Sequence, residues 1–400
     1  MEYLLEILYG ILRMFAQPSL YLFLVLLLVS GYYRVKRDRE SFGIKVYPYF
    51  DEQKQTWAIS FITGIILSIL SISIGFVFTW PLLGILSLFI VVFSMLRRFF
   101  FLSASYILGF GYITALCLMQ ANFTFLPADW INSFEEVNFI YIPFLIALLL
   151  VVEGMLLLRT NRMNSYPEIT KSLRGKFLGR HRIKRLAIIP FFGLLPAGLI
   201  EPFAPWFPFL EINGESFGFI LIPYVIGFEH AIRNSIPKHA AKWIATKVFF
   251  LAGLLLVLSM ASYFYEIFIL IGSAAAILGR LAIQYWFRSY DQNQHPVFQL
   301  GGEGIFVLGV LPNSTADHLQ LEPGERIVKV NGMNVSNEHE FYHAIQLNRA
   351  FCKLVIKDLN GEIRFSQSPL FEDDHHELGV ILVKDNDPID WSTEQAYSKP

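Results

Sequence analysis

The run His339-Glu340-Phe341-Tyr342-His343 has the spacing H-E-x-x-H. On a helix its two His would share a face, and Glu340 could act as base for a zinc-bound water. Glu153, Glu229 and His230 are the other candidates, because they lie in or at the ends of apolar runs. Acids inside a membrane can carry ions or protons. No phosphate-binding glycine loop and no Ser-His-Asp protease module accompanies them in the sequence. What these groups can do depends on the elements that hold them.

The 400 residues are 54% apolar and only 16% charged, against roughly a quarter charged in a soluble domain. Residues 288–400 hold 9 Lys and Arg against 17 Asp and Glu, while residues 1–287 hold 23 against 16. This excludes a single soluble globule. It implies a large membrane part followed by one soluble domain. No strongly basic soluble surface is present, so a nucleic-acid partner is not expected. The two cysteines, Cys117 and Cys352, are too few for a disulfide framework and are expected as small core residues.

Nine apolar runs precede residue 288: Pro18–Tyr33, Trp57–Phe78, Leu82–Met95, Phe99–Met119, Phe139–Leu158, Leu186–Ile200, Phe217–His230, Val248–Phe264 and Ile267–Phe287. A spanning helix needs about 20 residues. The third, sixth and seventh runs fall short, which leaves re-entrant or internally packed segments open. Of the 23 basic residues before 288, 21 fall in four stretches, and the alternate stretches 79–81, 120–138, 201–215 and 265–266 contain none. Cytoplasmic loops retain Lys and Arg. The split predicts about eight or nine helices, with the C-terminus in the cytoplasm. Arg280, inside the last run, is expected to snorkel. Leu4, Leu8, Ile11 and Phe15 oppose Glu6 and Arg13 at helical spacing, so residues 1–17 read as an amphipathic surface helix. The most basic loop, 159–185, includes Arg174, Lys176, Arg180, Arg182, Lys184 and Arg185. It would favour anionic lipid or an acidic partner, or it serves only to set topology. It could also latch the acidic soluble part by charge.

After Phe287 short alternating runs replace long apolar ones. Gly304–Leu311, Arg326–Val330, Cys352–Asp358, Ile363–Gln367 and Leu378–Val383 read as strands. Asn331-Gly332 and Asn360-Gly361 are hairpin signals. Asn337–Asn348 reads as a helix that turns Phe341, Ala344 and Ile345 inward, which puts His339 and His343 at a rim or in solvent. The string with Pro312, Ser314 and Ala316, then Gly324, Ile327, Val330, Asn331 and Gly332, resembles the core of bacterial PDZ domains. Gln320-Leu321 stands where Gly-Leu is usual in that family, and Glu325 where Asp is usual. The resemblance implies a small α+β, partly open β-barrel over 288–385, followed by an acidic tail, 386–400. It also implies a peptide groove. Leu378, Gly379 and Val380 would form the carboxylate nest, Ile381 would continue the pairing edge, and Phe341 and Ile345 would lie on the opposite wall. Leu300-Gly301-Gly302 is a second place for the nest, and plain sheet core is the alternative for the 378–380 segment.

A PDZ domain behind a multispanning bundle also resembles the site-2 intramembrane proteases. Their H-E-x-x-H lies inside a membrane helix, however, and their second metal motif is missing from this sequence. The whole arrangement, with the stretch FAQPSLYLFLVLLLVSGYYRVKRDRESFGIKV, is more similar to the MinJ-like cell-division topological determinants of Gram-positive bacteria. That resemblance implies a non-enzymatic scaffold in the cell membrane, at septa and poles, with its PDZ domain cytoplasmic and with neither cofactor nor metal. Implied partners are a DivIVA-like polar scaffold, a MinD-like ATPase of the MinCD inhibitor, divisome membrane proteins and membrane lipid, with self-association besides. A protease, and a transporter or sensor that recruits through its PDZ domain, are the alternative functions.

Overall fold

A computed structural model describes residues 2–96, 98–120, 127–160, 165–171, 177–200, 209, 216–294, 303–348, 350–358, 360–369 and 378–383. The membrane half contains α1 (Glu2–Met14), α2 (Pro18–Phe42), α3 (Trp57–Ile74), α4 (Trp80–Met95), α5 (Ala104–Gln120), α6 (Ala128–Asn132), α7 (Ile142–Leu158), α8 (Pro237–Ser262) and α9 (Ile267–Asn293). Its strands are β1 (Tyr166–Lys171), β2 (Phe177–Ile200) and β3 (Phe217–Ile232). Among the described residues five segments are long and apolar enough to cross a membrane: α2, α3, 139–158, α8 and α9. α4 and α5 are shorter apolar helices. Proline stands in the first turn of α2, α4, α7 and α8, where a missing N–H costs nothing. Cys117 is exposed on α5 rather than in the core.

The sixth and seventh apolar runs are strands, not helices. β2 and β3 pair antiparallel from His181↔Ile232 to Leu195↔Gly218, with a register shift beyond Pro196. Pro190 lies opposite Pro223 in this ladder, and prolines at such positions would break a helix interior. An open hairpin cannot face hydrocarbon, because its edge groups would be unpaired. Here both edges are covered. On the β2 side Phe78 N–H donates to Leu194 O at 2.8 Å, and Leu194 N–H donates to Phe76 O at 2.8 Å. Phe192 N–H donates to Ser68 Oγ at 2.9 Å. α3 lies so close that a Cβ at Gly64 would come within 2.2 Å of Pro190 O.

The β3 edge is covered by α1, which corrects the expectation of a surface helix. Glu6 is buried at 1% exposure, while Leu4 is 74% exposed. The helix thus turns its polar stripe inward and its apolar stripe outward. Glu6 accepts from Phe219 N–H at 3.1 Å and from Leu199 N–H at 3.2 Å. Arg13 donates to Phe219 O at 2.6 Å, and Gln17 donates to Leu221 O at 2.8 Å.

The C-terminal part holds β4 (Ile305–Val310), α10 (Thr315–His318), β5 (Arg326–Val330), β6 (Met333–Asn334), α11 (Glu338–Gln346), β7 (Phe351–Lys357), β8 (Ile363–Pro369) and β9 (Val380–Leu382). The strand order is β8-β7-β5-β4-β9, with β6 beside β5, so the sheet is not closed. Its core includes Val307, Leu319, Leu321, Ile327, Phe341 and Leu354. Each such side chain contributes about 1.5–3 kcal/mol on burial. Cys352 is in this core, and burial pushes its thiol up to about 12.

A second apolar cluster seats this part on the membrane half. Phe306, Leu308, Ile381 and Val383 pack with Val46, Tyr47 and Tyr166. At these residues the contact is apolar, and Tyr166 brings the 159–185 stretch into it, while Arg174, Lys176 and the acidic tail fall outside the described residues.

Candidate functional site

The turns of the PDZ string are held by local chemistry. Ser314 caps α10, its Oγ receiving the Asp317 N–H and donating to Leu311 O at 2.7 Å. Ala316 is fully buried, and its N–H donates to Leu378 O at 2.8 Å. Pro312 stands between Leu311 and the α10 cap. Gly324 has φ +104°, and Asn331 and Gly332 have φ +50° and +88°. Asn331 also ties the fold together, because its Nδ2 donates to Ala344 O at 2.9 Å and its Oδ1 accepts from Lys353 N–H at 3.0 Å. Glu325 accepts from Glu322 N–H at 2.8 Å and pairs with Arg364 at 2.7 Å.

Gln320 has φ +55°, which explains why glycine suits this position after α10. A side chain in the left-handed region costs roughly 1–2 kcal/mol. Gln320→Gly is expected to raise the stability of the domain by about 0.5–1 kcal/mol, the rest being offset by backbone entropy. Denaturant unfolding of the two forms checks this, and an unchanged or lower midpoint would refute it.

Leu378 and Val380 share the core with Phe341, and Ile345 packs on its margin. Gly379 has φ +80°, and its carbonyl accepts from Leu311 N–H at 2.8 Å. β9 is the last strand of the sheet order. Ile381 points the other way, into the cluster with Tyr47 and Tyr166. Alternation along a strand requires this, so Ile381 does not face α11. Leu300-Gly301-Gly302 and the 386–400 tail lie outside the described residues.

The H-E-x-x-H run lies on α11, with His339 and His343 exposed. Glu340 accepts from Ser336 N–H at 2.8 Å and from Asn337 Nδ2 at 2.9 Å. Asn337 Oδ1 in turn accepts from Glu340 N–H at 2.8 Å. This is a reciprocal helix cap, and it accounts for Glu340.

Arg180, Arg182, Lys184 and Arg185 are strand residues rather than loop residues. Arg180 and Arg182 lie on β2 and both reach Glu168, at 2.8 and 2.7 Å. Arg37 joins them on Glu168, and Arg182 also pairs with Glu229. Arg185 lies 3.9 Å from Asp51. Lys184 holds its ammonium over the Phe99 ring at 4.1 Å. Arg174 and Lys176 fall outside the described residues.

Burial of Glu168 disfavours its charge, but Arg182, Arg180 and Arg37 outweigh burial and hold its carboxyl below the ordinary value of 4.5. A carboxyl with a lowered folded value stabilises fully above its unfolded value. Acid is therefore expected to destabilise the full chain progressively below about pH 4.5. Glu168→Gln should flatten that limb in a melting series from pH 6 to pH 3. An unchanged limb would show that the carboxyl contributes nothing to it.

Deep in the bundle Glu153 and Arg280 pair at 2.6 Å, both fully buried. Ser103 Oγ donates to the other Glu153 oxygen at 2.6 Å. Arg280 Nη2 also lies 3.5 Å from His230 Nε2. Arg280 does not snorkel, because its counter-charge is beside it.

A sheet and helix with these turns, carried by an apolar bundle, define a membrane-anchored PDZ protein. The PDZ domain family model matches residues 288–356. The chain is 32% identical over 381 residues to the cell division topological determinant MinJ of Bacillus subtilis (strain 168), across 93% of this chain and 94% of that protein. It is 26% identical over 184 residues to a probable cell division topological determinant MinJ of Lacticaseibacillus paracasei, across 44% of this chain and 48% of that protein. The chain belongs to the MinJ family of cell division topological determinants.

Proposed function

We propose that this protein is a non-enzymatic scaffold for placing the division site, which holds a PDZ groove at the cytoplasmic face of the membrane. The observation that carries the reading is β9, a terminal strand of the PDZ sheet whose Leu378 and Val380 share a core with Phe341 of α11. PDZ domains add an extended peptide to such a strand, and a backbone nest receives its carboxylate. Leu378, Gly379 and Val380 form that nest, and Phe341 and Ile345 belong to the other wall.

The distribution of basic residues supports a cytoplasmic PDZ domain. The hairpin of β2 and β3 crosses and returns as two helices would, so it leaves the alternation of sides intact. Family membership supports partners from the Min system: a DivIVA-like polar protein and a MinD-like ATPase, with divisome membrane proteins beside them. Self-association would add copies at the same place.

The test is localisation of a full-length fluorescent fusion beside one truncated after Phe287. Full-length protein should gather at septa and poles, and uniform membrane fluorescence would sink the reading. Glu340→Gln should leave function intact, because Gln serves a helix cap as Glu does. Loss of function in Glu340→Gln, with the domain still folded, would favour a protease.

A further inference from the structure

A cavity of about 610 Å³ lies between the end of α4, the start of β2 and the last turns of α9. Its size is within the roughly 300–1,000 Å³ of small-ligand sites. Arg98, Arg180, Arg182 and Arg288 line it, with Glu229 as the one carboxylate. Glu168 and Glu229 neutralise Arg180 and Arg182. Arg98 and Arg288 are exposed, and no ion pair or hydrogen bond engages either guanidinium among the described residues.

The opposite wall is apolar. Leu96, Leu281 and Tyr285 are exposed there, and Phe101 and Phe287 lie behind them. Gln284 also lines the cavity, with its side chain turned to His230. The site thus offers spare guanidinium groups and an apolar flank that continues onto α9, a helix apolar enough to span the membrane.

We propose that this cleft binds an anionic phospholipid, with the phosphate on Arg98 and Arg288 and an acyl chain along Leu281 and Tyr285. Guanidinium groups grip phosphate through paired N–H donors. Basic pockets between membrane helices bind anionic headgroups in this way. Phosphatidylglycerol, which carries a phosphate and no cationic group to oppose the arginines, is the simplest ligand that meets both features. The apolar wall selects a lipid over free phosphate, which would need only the arginines. Bound lipid at this place joins α4, β2 and α9.

The experiment is native mass spectrometry of the full-length protein extracted from bilayers of phosphatidylglycerol and phosphatidylcholine. Wild-type protein should retain phosphatidylglycerol selectively. R98Q/R288Q should lower that retention by roughly 30-fold, at about a factor of five for each charge removed. Both side chains are exposed, so the melting temperature should not change. Leu281→Trp, which fills the apolar wall, should lower retention while leaving every charge in place. Equal retention in wild type and R98Q/R288Q would overturn the site. Displacement of the lipid by soluble glycerophosphate at equal concentration would overturn the lipid as its occupant. Higher lipid retention after removal of residues 384–400 would assign the cleft to that acidic segment instead.

Discussion

Glu153→Leu is expected to lower the stability of the full chain in detergent by about 3–5 kcal/mol, the cost of leaving one member of a buried ion pair alone. Arg280 Nε and Nη2 both reach one Glu153 oxygen, at 3.1 and 2.6 Å. The guanidinium also sits over the Phe100 ring at 5.1 Å. With Glu153 gone, a charged group would stay in the bundle with an aromatic face and a His as its neighbours. Arg280→Leu should cost a similar amount for the mirror reason. Glu153→Leu/Arg280→Leu together should cost far less than the two summed, because neither charge is then stranded. Denaturation midpoints of the four proteins form the cycle. Additive costs would mean that the pair is not coupled and that the bundle is held by packing alone.

Gly379→Ala should destabilise the PDZ part by about 3 kcal/mol, from two separate sources. The residue has φ +80°, which costs an alanine roughly 1–2 kcal/mol. The new Cβ would also come within 2.3 Å of the Ser314 Cβ and Oγ, and overpacking of that kind costs about 1–3 kcal/mol. Ser314→Gly added to Gly379→Ala should recover the steric part and leave the conformational part. Hydrogen exchange of β4 and β9 in the full chain reads both. Because Ser314 also caps α10, the single Ser314→Gly variant is the necessary reference. A Gly379→Ala protein as stable as wild type would mean that the 378–380 loop can move freely away from α10. That loop would then be a poor nest for a carboxylate.

The PDZ part was legible because its information is local. Asn331-Gly332 and the Pro312–Ala316 stretch set their turns through neighbouring residues, whatever the rest of the chain does. The membrane half was legible in its runs but less so in their secondary structure. β2 and β3 are buried on both faces and walled by α1 and α3, so they lost the alternation that marks a strand. Their prolines were the usable signal, since Pro190, Pro196 and Pro223 fit a strand edge better than a helix interior. α1 showed a correct helical period, but a period does not say which medium faces which stripe. Arg280 read as a snorkelling residue because Glu153 lies 127 positions away in sequence. Ile381 was assigned to the pairing edge by its backbone, and the burial of its side chain beside Tyr47 and Tyr166 depends on the membrane half, which the strand pattern does not show. The cleft at Arg98 and Arg288 combines residues 190 apart in sequence, which no run or motif connects.

The inward polar stripe of α1 has a consequence for biogenesis. Arg13 meets Phe219, 206 residues later, and Glu6 meets the same residue, 213 residues later. Ribosomes add about 5–20 residues per second. The first helix is therefore made some 10–40 s before the strand edge that it covers. During that interval Glu6, Arg13 and Gln17 have no β3 to bind, and an early commitment of α1 to lipid would strand a charge. The nascent chain must keep this helix at the water boundary, or in the care of the insertion machinery, until residue 221 has emerged. Closure of α1 over this edge therefore waits for a hairpin made near the middle of the chain.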